Sequence, residues 1–221
     1  EGMALADLER IVISIAACSR DSGVPVVTGD TKVVPRGKGD KIFINTSGIG
    51  VVADGIDISS KNAREGDVIL LSGTMGDHGI TIMTRRAGIA MQGKLESATR
   101  PLHRLVQRLL DELPGSVRTL RDPTRGGVAT TLNEIAANSG LGVELREEFL
   151  PVRPQVRAAC ELLGLEPLYL ANEGKLLAVV GADQADTALK IMRETSEGAE
   201  AAVIGRMVGG KAGRVVITTP L

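Results

Sequence analysis

Aromatic side chains are almost absent from this chain: 221 residues include no Trp, one Tyr and two Phe. Any core must therefore be aliphatic, built from Ala, Val, Ile and Leu. Neither a basic run nor basic–aromatic interleaving occurs, and the net charge is −1. The electrostatic footprint of a nucleic-acid binder is missing. Two histidines, His78 and His103, and no C-x-x-C pair leave nothing for a zinc site. His103 lies beside Arg104 on a helical pattern and reads as a solvated surface residue. Cys18 and Cys160 lie far apart, each on the apolar side of a helical pattern. Both read as buried free thiols of a reducing compartment. No apolar run approaches a membrane span and no signal peptide is visible, so a cytoplasmic protein without a membrane partner is expected.

Several catalytic signatures are also missing. A phosphate-binding G-x-x-x-x-G-K-[ST] loop fails because Gly174-Lys175 is followed by Leu176. No G-x-S-x-G elbow exists, so a covalent serine hydrolase has no nucleophile. Gly48-x-Gly50-x-x-Ala53 matches the dinucleotide fingerprint in letters, but Asp54, Gly55 and Asp57 break any helix after it.

What is abundant is glycine, with 27 residues. That many implies tight turns or close backbone approaches. Leu5, Leu8, Val12, Ile15 and Ser19 recur at helical spacing and predict a helix ending near Gly23. Val24–Thr28 and Lys41–Ser47 read as strands, with Ile42-Phe43-Ile44 suggesting burial on both faces. A helix and two or three strands cannot close a core. With the chain starting at Glu1, a preceding portion is expected to be missing or supplied by a partner. From about Gly55 the pattern becomes self-contained. Strands are expected at 68–72, 142–145, 175–180, 202–208 and 215–218. Helices are expected after Asp77, over 102–113, 126–139, 154–163 and 183–194. The irregular alternation predicts an α+β fold, with helices on one face of a mixed sheet.

Four segments gather residues capable of chemistry. Val27–Val34 places the carboxylate of Asp30, the hydroxyl of Thr31 and the ammonium of Lys32 together at a strand end. An oxygen ligand suits Mg²⁺ and a lysine suits phosphate, although a capped turn with a solvated lysine explains the same letters. Ser72–Gly79 exposes glycine N–H groups before a helix, as an anion site does, or else Asp77 simply caps that helix. Arg121–Gly127 sets two arginines and Thr124 before another helix. A structural cap needs neither arginine nor paired glycine, which favours phosphate binding there. Ala171–Lys175 carries Glu173 just before a buried strand, where it is a general-base candidate or part of a polar turn.

Taken in order along the chain, VTGDTKVVP (27–35), FINTSGIG (43–50), SGTMGDHG (72–79), RDPTRGGVATTLNEIA (121–136) and ANEGKLL (171–177) resemble the HypE hydrogenase maturation factors. That family belongs to the superfamily of ATP-using enzymes that includes aminoimidazole ribonucleotide (AIR) synthetase. The resemblance covers essentially the whole chain. It implies two domains of an AIR synthetase-like fold. Residues 1–54 would be the end of an N-terminal ATP-binding and dimerisation domain, and 55–221 the C-terminal domain, lacking the family's terminal cysteine tail. It implies an ATP- and Mg²⁺-dependent carbamoyl dehydratase. Such an enzyme turns an S-carboxamide on its own C-terminal cysteine into an S-cyanide for the iron of [NiFe]-hydrogenase. HypF would be the carbamoyl donor, a HypC–HypD complex the cyanide acceptor, and the complete protein a homodimer. By the same resemblance Lys32 and Glu173 would be catalytic and Asp30 the metal contact. Thr28, Asp30, Asn45, Asp122, Thr124, Arg125, Gly126 and Gly127 would line the nucleotide. These 221 residues alone are expected to be inactive and to bind ATP weakly or not at all. A selenophosphate synthetase-like enzyme and a non-catalytic docking module are the alternative readings.

Overall fold

The computed structural model describes residues 1–89 and 95–219. The chain divides into two compact units, Glu1–Asp54 and Gly55–Leu221.

The first unit holds one helix, α1 (Leu5–Ser22), closed by Gly23 in the left-handed conformation. The N–H groups of Gly23 and Val24 return to the carbonyls of Arg20 and Ser19, the hydrogen-bonded close of a Schellman-type end. No residue of α1 is buried. The rest of this unit is extended or irregular. The two expected strands, Val24–Thr28 and Lys41–Ser47, do not form. The expected burial fails with them, since Phe43 is 77% exposed and Ile44 53%. The physical reason is pairing. A strand exists through its ladder, and no described strand lies within this unit to supply one. Cys18 is likewise exposed, contrary to its expected burial, on a helix none of whose residues is buried.

The second unit is built on a six-stranded sheet in the order β2–β4–β1–β5–β3–β6. In chain order these strands are β1 (Val68–Leu71), β2 (Val117–Arg121), β3 (Gly142–Arg146), β4 (Leu177–Val180), β5 (Ala202–Val208) and β6 (Val215–Thr218). All neighbours run antiparallel except β3 and β6, so the sheet is mixed. Between the strands lie α2 (Asp77–Ala87), α3 (His103–Glu112), α4 (Gly127–Ser139), α5 (Pro154–Leu163) and α6 (Ala185–Arg193). The α+β fold on a mixed sheet is as the sequence suggests.

The helices, however, cover both faces rather than one. Ile69, Leu71, Leu177 and Val179 meet Val128, Leu132, Ile135 and Ala136 of α4. Their alternate neighbours Leu70, Ala178 and Val180 meet Leu105 and Leu109 of α3 and Ala188, Ile191 and Met192 of α6. Strands apolar at every position need cover on each side, because successive side chains point to opposite faces. A third, smaller cluster packs Ile80 of α2 on Val156, Ala159 and the buried Cys160 of α5. Burial pushes the Cys160 thiol up from its ordinary pKa, which keeps it protonated and unreactive. Among the described residues no helix is long and apolar enough to cross a membrane.

Candidate functional site

Register gathers three of the four segments. Leu71 at the end of β1 and Arg121 at the end of β2 both pair with Leu177 at the start of β4. The loops that leave β1 and β2, and the loop that enters β4, therefore share one end of three adjacent strands. These are Ser72–Gly76, Asp122–Gly126 and Ala171–Leu176.

Backbone hydrogen bonds lock the first and third loops together. Ser72 N–H donates to the Leu176 carbonyl at 2.9 Å, and Leu176 N–H donates to Ser72 Oγ at 2.9 Å. Gly79 N–H donates to the Ala171 carbonyl at 3.1 Å. Met75 N–H reaches the Pro151 carbonyl at 2.8 Å, and Gly76 N–H reaches Asn172 Oδ1 at 2.8 Å. The protein itself thus occupies the N–H groups of Met75, Gly76 and Gly79. That counts against the anion-site reading of Ser72–Gly79.

Asp77 also differs from a simple cap. Gly76, in the left-handed conformation, is the N-cap of α2, and no side chain caps it. Asp77 is buried, and its Oδ2 accepts a hydrogen bond from Thr74 Oγ1 and lies 3.5 Å from Arg153 Nε. Among the described residues its Oδ1 has no hydrogen-bond partner. Lys175 faces this carboxylate and is 5% exposed. Burial pulls its ammonium below the ordinary lysine pKa, with Asp77 acting in the opposite direction. Its Nζ lies 2.9 Å from where a Cβ on Gly73 would stand, so glycine is what makes room for it.

The Asp122–Gly127 loop opens α4. Gly126 is the N-cap at φ 69°, without a side-chain cap, and Gly127 follows at φ 64°. A Cβ on Gly127 would stand 2.4 Å from the Leu168 carbonyl oxygen and 2.6 Å from that of Leu170. Close backbone approach thus accounts for this glycine whatever else the loop does. Thr124 Oγ1 donates to Asp122 Oδ2. Asp122 and Arg125 are exposed, while Arg121 pairs with Glu134 at 2.6 Å. Glu173 is half-buried and has no hydrogen bond or ion pair among the described residues.

Thr28, Asp30, Lys32 and Asn45 lie in the first unit, and all four are exposed. Asp30 Oδ1 accepts from Thr31 N–H at 2.8 Å. The structure therefore brings Asp122–Gly127 and Glu173 to one end of the sheet, while the remaining candidates belong to the other unit. Sequence reasoning missed Asn172, Asp77 and Lys175 as buried polar residues. A lysine between a glycine and an unbroken apolar run was the one available hint for Lys175; nothing local marked Asn172.

Comparisons with known proteins agree with this architecture. Residues 64–218 match the model for the C-terminal domain of AIR synthase related proteins, and residues 2–52 match that for the N-terminal domain. The carbamoyl dehydratase HypE of Azotobacter vinelandii is 54% identical over 220 residues, covering 100% of this chain and 64% of that protein. The hydrogenase expression/formation protein HupE of Azotobacter chroococcum mcd 1 is 56% identical over 94% of this chain and 61% of its own length. The chain therefore spans less than two thirds of these relatives. A crystal structure of a HypE–HypF complex superposes with a TM-score of 0.95 at 46% identity, covering 99% of this chain and 71% of the other. A structure of HypE with ATP gives 0.94 at 47% identity, over 99% and 67%.

Proposed function

The chain belongs to the HypE family of AIR synthase related proteins, and from that membership we propose that the protein containing it is an ATP-dependent carbamoyl dehydratase of hydrogenase maturation. Similarity to HypE along the entire chain carries this reading.

The reaction divides into two balanced steps. The carboxamide oxygen of a cysteine S-carboxamide attacks the γ-phosphorus of ATP, the bond to ADP breaks, and the first N–H proton passes to solvent, leaving an O-phosphorylated imidate. A base then takes the remaining N–H proton, the C–O bond breaks with loss of phosphate, and an S-cyanide is left. An amide oxygen leaves poorly, whereas a phosphate leaves readily. The protein must chiefly position the groups and stabilise charge.

In this proposal Lys32 stabilises the transferring phosphoryl group, and Glu173 takes the N–H proton. The absence of an ion pair at Glu173 among the described residues leaves its carboxylate free to accept one. Thr28, Asn45 and the Asp122–Gly127 loop line the nucleotide, with Arg125 offering an exposed guanidinium for phosphate. Mg²⁺ needs only one or two carboxylates besides phosphate oxygens. Asp30 fits that need, since Thr31 N–H holds one oxygen of its carboxylate and orients the other. Bound there with ATP, Mg²⁺ would neutralise phosphate charge. HypF as carbamoyl donor, a HypC–HypD complex as cyanide acceptor, a homodimer and a cytoplasmic location complete the proposal.

The test uses the full-length protein with its C-terminal cysteine carbamoylated and Mg–ATP added. Mass spectrometry should find loss of one water, and no loss overturns the assignment. Glu173→Gln should keep ATP binding and cut that loss to a small residual rate. Dehydration at an unchanged rate would remove Glu173 from the mechanism.

A further inference from the structure

Among the described residues nothing anchors the Glu173 side chain, so its position comes from the residues on either side. Asn172 precedes it, 2% exposed, with its amide fully used. Its Oδ1 accepts from Gly76 N–H at 2.8 Å. Its Nδ2 donates to the Pro123 carbonyl at 3.2 Å and to the Leu170 carbonyl at 2.9 Å. Its backbone N–H also donates to Pro123 O at 3.2 Å. One side chain thus ties the β1 loop, the β2 loop and its own loop together.

Only an amide does this. An N–H stands on one side and two carbonyls on the other, so the group must accept and donate at once. A carboxylate would set an oxygen against two carbonyl oxygens, and an aliphatic side chain would leave all three backbone groups unpaired. After Glu173 comes Gly174 at φ 63°, where a Cβ would stand 2.1 Å from the Ala98 carbonyl oxygen. The loop is held on both sides of Glu173, whose own side chain no other described residue holds.

We propose that Asn172 is a positioning residue that fixes Glu173 against the Asp122–Gly127 loop. Its role in catalysis rests on the dehydratase reading, but its role in ordering the loop does not. The amide restrains the backbone, and the backbone aims the carboxylate. Misplacing a reacting group by about 1 Å costs on the order of 100-fold in rate. A defect of this kind belongs in kcat rather than in the KM for ATP.

The experiment compares wild type, Asn172→Ser and Asn172→Asp in the full-length protein. Serine is too short to reach Gly76 N–H and the two carbonyls, but it sets no charge against them, so it is the milder change. The amides of Gly76 and of residue 172, bonded to the Asn172 side chain and to the Pro123 carbonyl in the wild type, should exchange about tenfold or more faster in Asn172→Ser, with exchange in β1 and β4 unchanged. Unchanged exchange at both amides overturns the proposal, whether or not the protein proves to be a dehydratase. On the carbamoylated protein, water loss should slow about 10- to 100-fold, with the KM for ATP held within about twofold. In a Glu173→Gln background the same substitution should slow the residual rate little further, because both changes act at one group. A rate equal to wild type, or losses that multiply, would leave Asn172 a purely structural residue. Absence of water loss from wild type would sink the dehydratase reading, and the exchange data would then decide the positioning claim alone.

Discussion

Val26, Val27, Val33, Phe43, Ile49 and Val51 in the first unit are each between 65% and 105% exposed. Ile69, Leu70, Leu71 and Leu177–Val180 in the second unit are all 0% exposed. The residue types are much alike and both sets alternate little. The difference lies in partners. β1 and β4 pair with each other and with β5 and β2, and three helices close over them. The extended segments of the first unit have no described strand to pair with inside it. An apolar alphabet supplies the capacity for a core, and pairing decides whether the capacity is used.

The strongest way to break this comparison is to delete apolar volume in each unit. Leu177→Ala removes a side chain buried on the α4 face of the sheet, and should cost about 2–5 kcal/mol. Phe43→Ala removes a larger side chain that is 77% exposed, and should cost less than about 0.5 kcal/mol. Urea unfolding followed by circular dichroism reads both. A comparable loss from Phe43→Ala would mean that the first unit is packed in solution.

Glycines sharpen the comparison at a cost of the same order. Gly127→Ala places a methyl group against two carbonyl oxygens at a positive φ. About 1–2 kcal/mol is expected from the left-handed backbone, and a further ~1–3 kcal/mol from overpacking. Gly50→Ala meets nothing within 4 Å and has no positive φ, so its thermal midpoint should barely move. Equal shifts in the two melting curves would contradict the reading of Gly127 as a close-approach residue.

The amphipathic helices were legible because their apolar period is local. α1, α3, α4 and α5 fall within a residue or two of their expected bounds. The sheet was less so. β2 went unseen because Val117–Arg121 carries two arginines, Arg118 and Arg121, that point to partly exposed positions on an edge strand. The two-sided cover was implied by unbroken apolar runs at β1 and β4, yet which helix goes to which face depends on register. Of the candidate site, the motifs picked out the Asp122–Gly127 loop and Glu173, which the strand register brings to one end of the sheet. They could not show that Asp77 and Lys175 face each other under the same turn, or that Asn172 joins three loops. Those relations connect residues far apart in sequence, and no period or spacing encodes them.

Buried charge offers the subtlest test of the contrast. Lys32, Lys38 and Lys41 of the first unit are exposed, whereas Lys175 is 5% exposed. Burial holds its folded-state pKa below the ordinary lysine value of 10.5, to which unfolding returns it. Between those two values the unfolded chain binds more protons, so this group makes stability rise with pH up to about 10.5. Below the folded-state pKa the full cost of burying the ammonium is present. Lys175→Met keeps the length of the side chain and removes the titration. The stability of wild type relative to Lys175→Met should therefore climb as pH rises toward 10.5, read from urea midpoints of both proteins. Asp77 keeps Arg153 at 3.5 Å as a counter-charge in the variant, so its own carboxylate should not reverse the trend. A difference that stays flat, or falls, over that window would show that the Asp77 carboxylate, and not burial, governs this lysine.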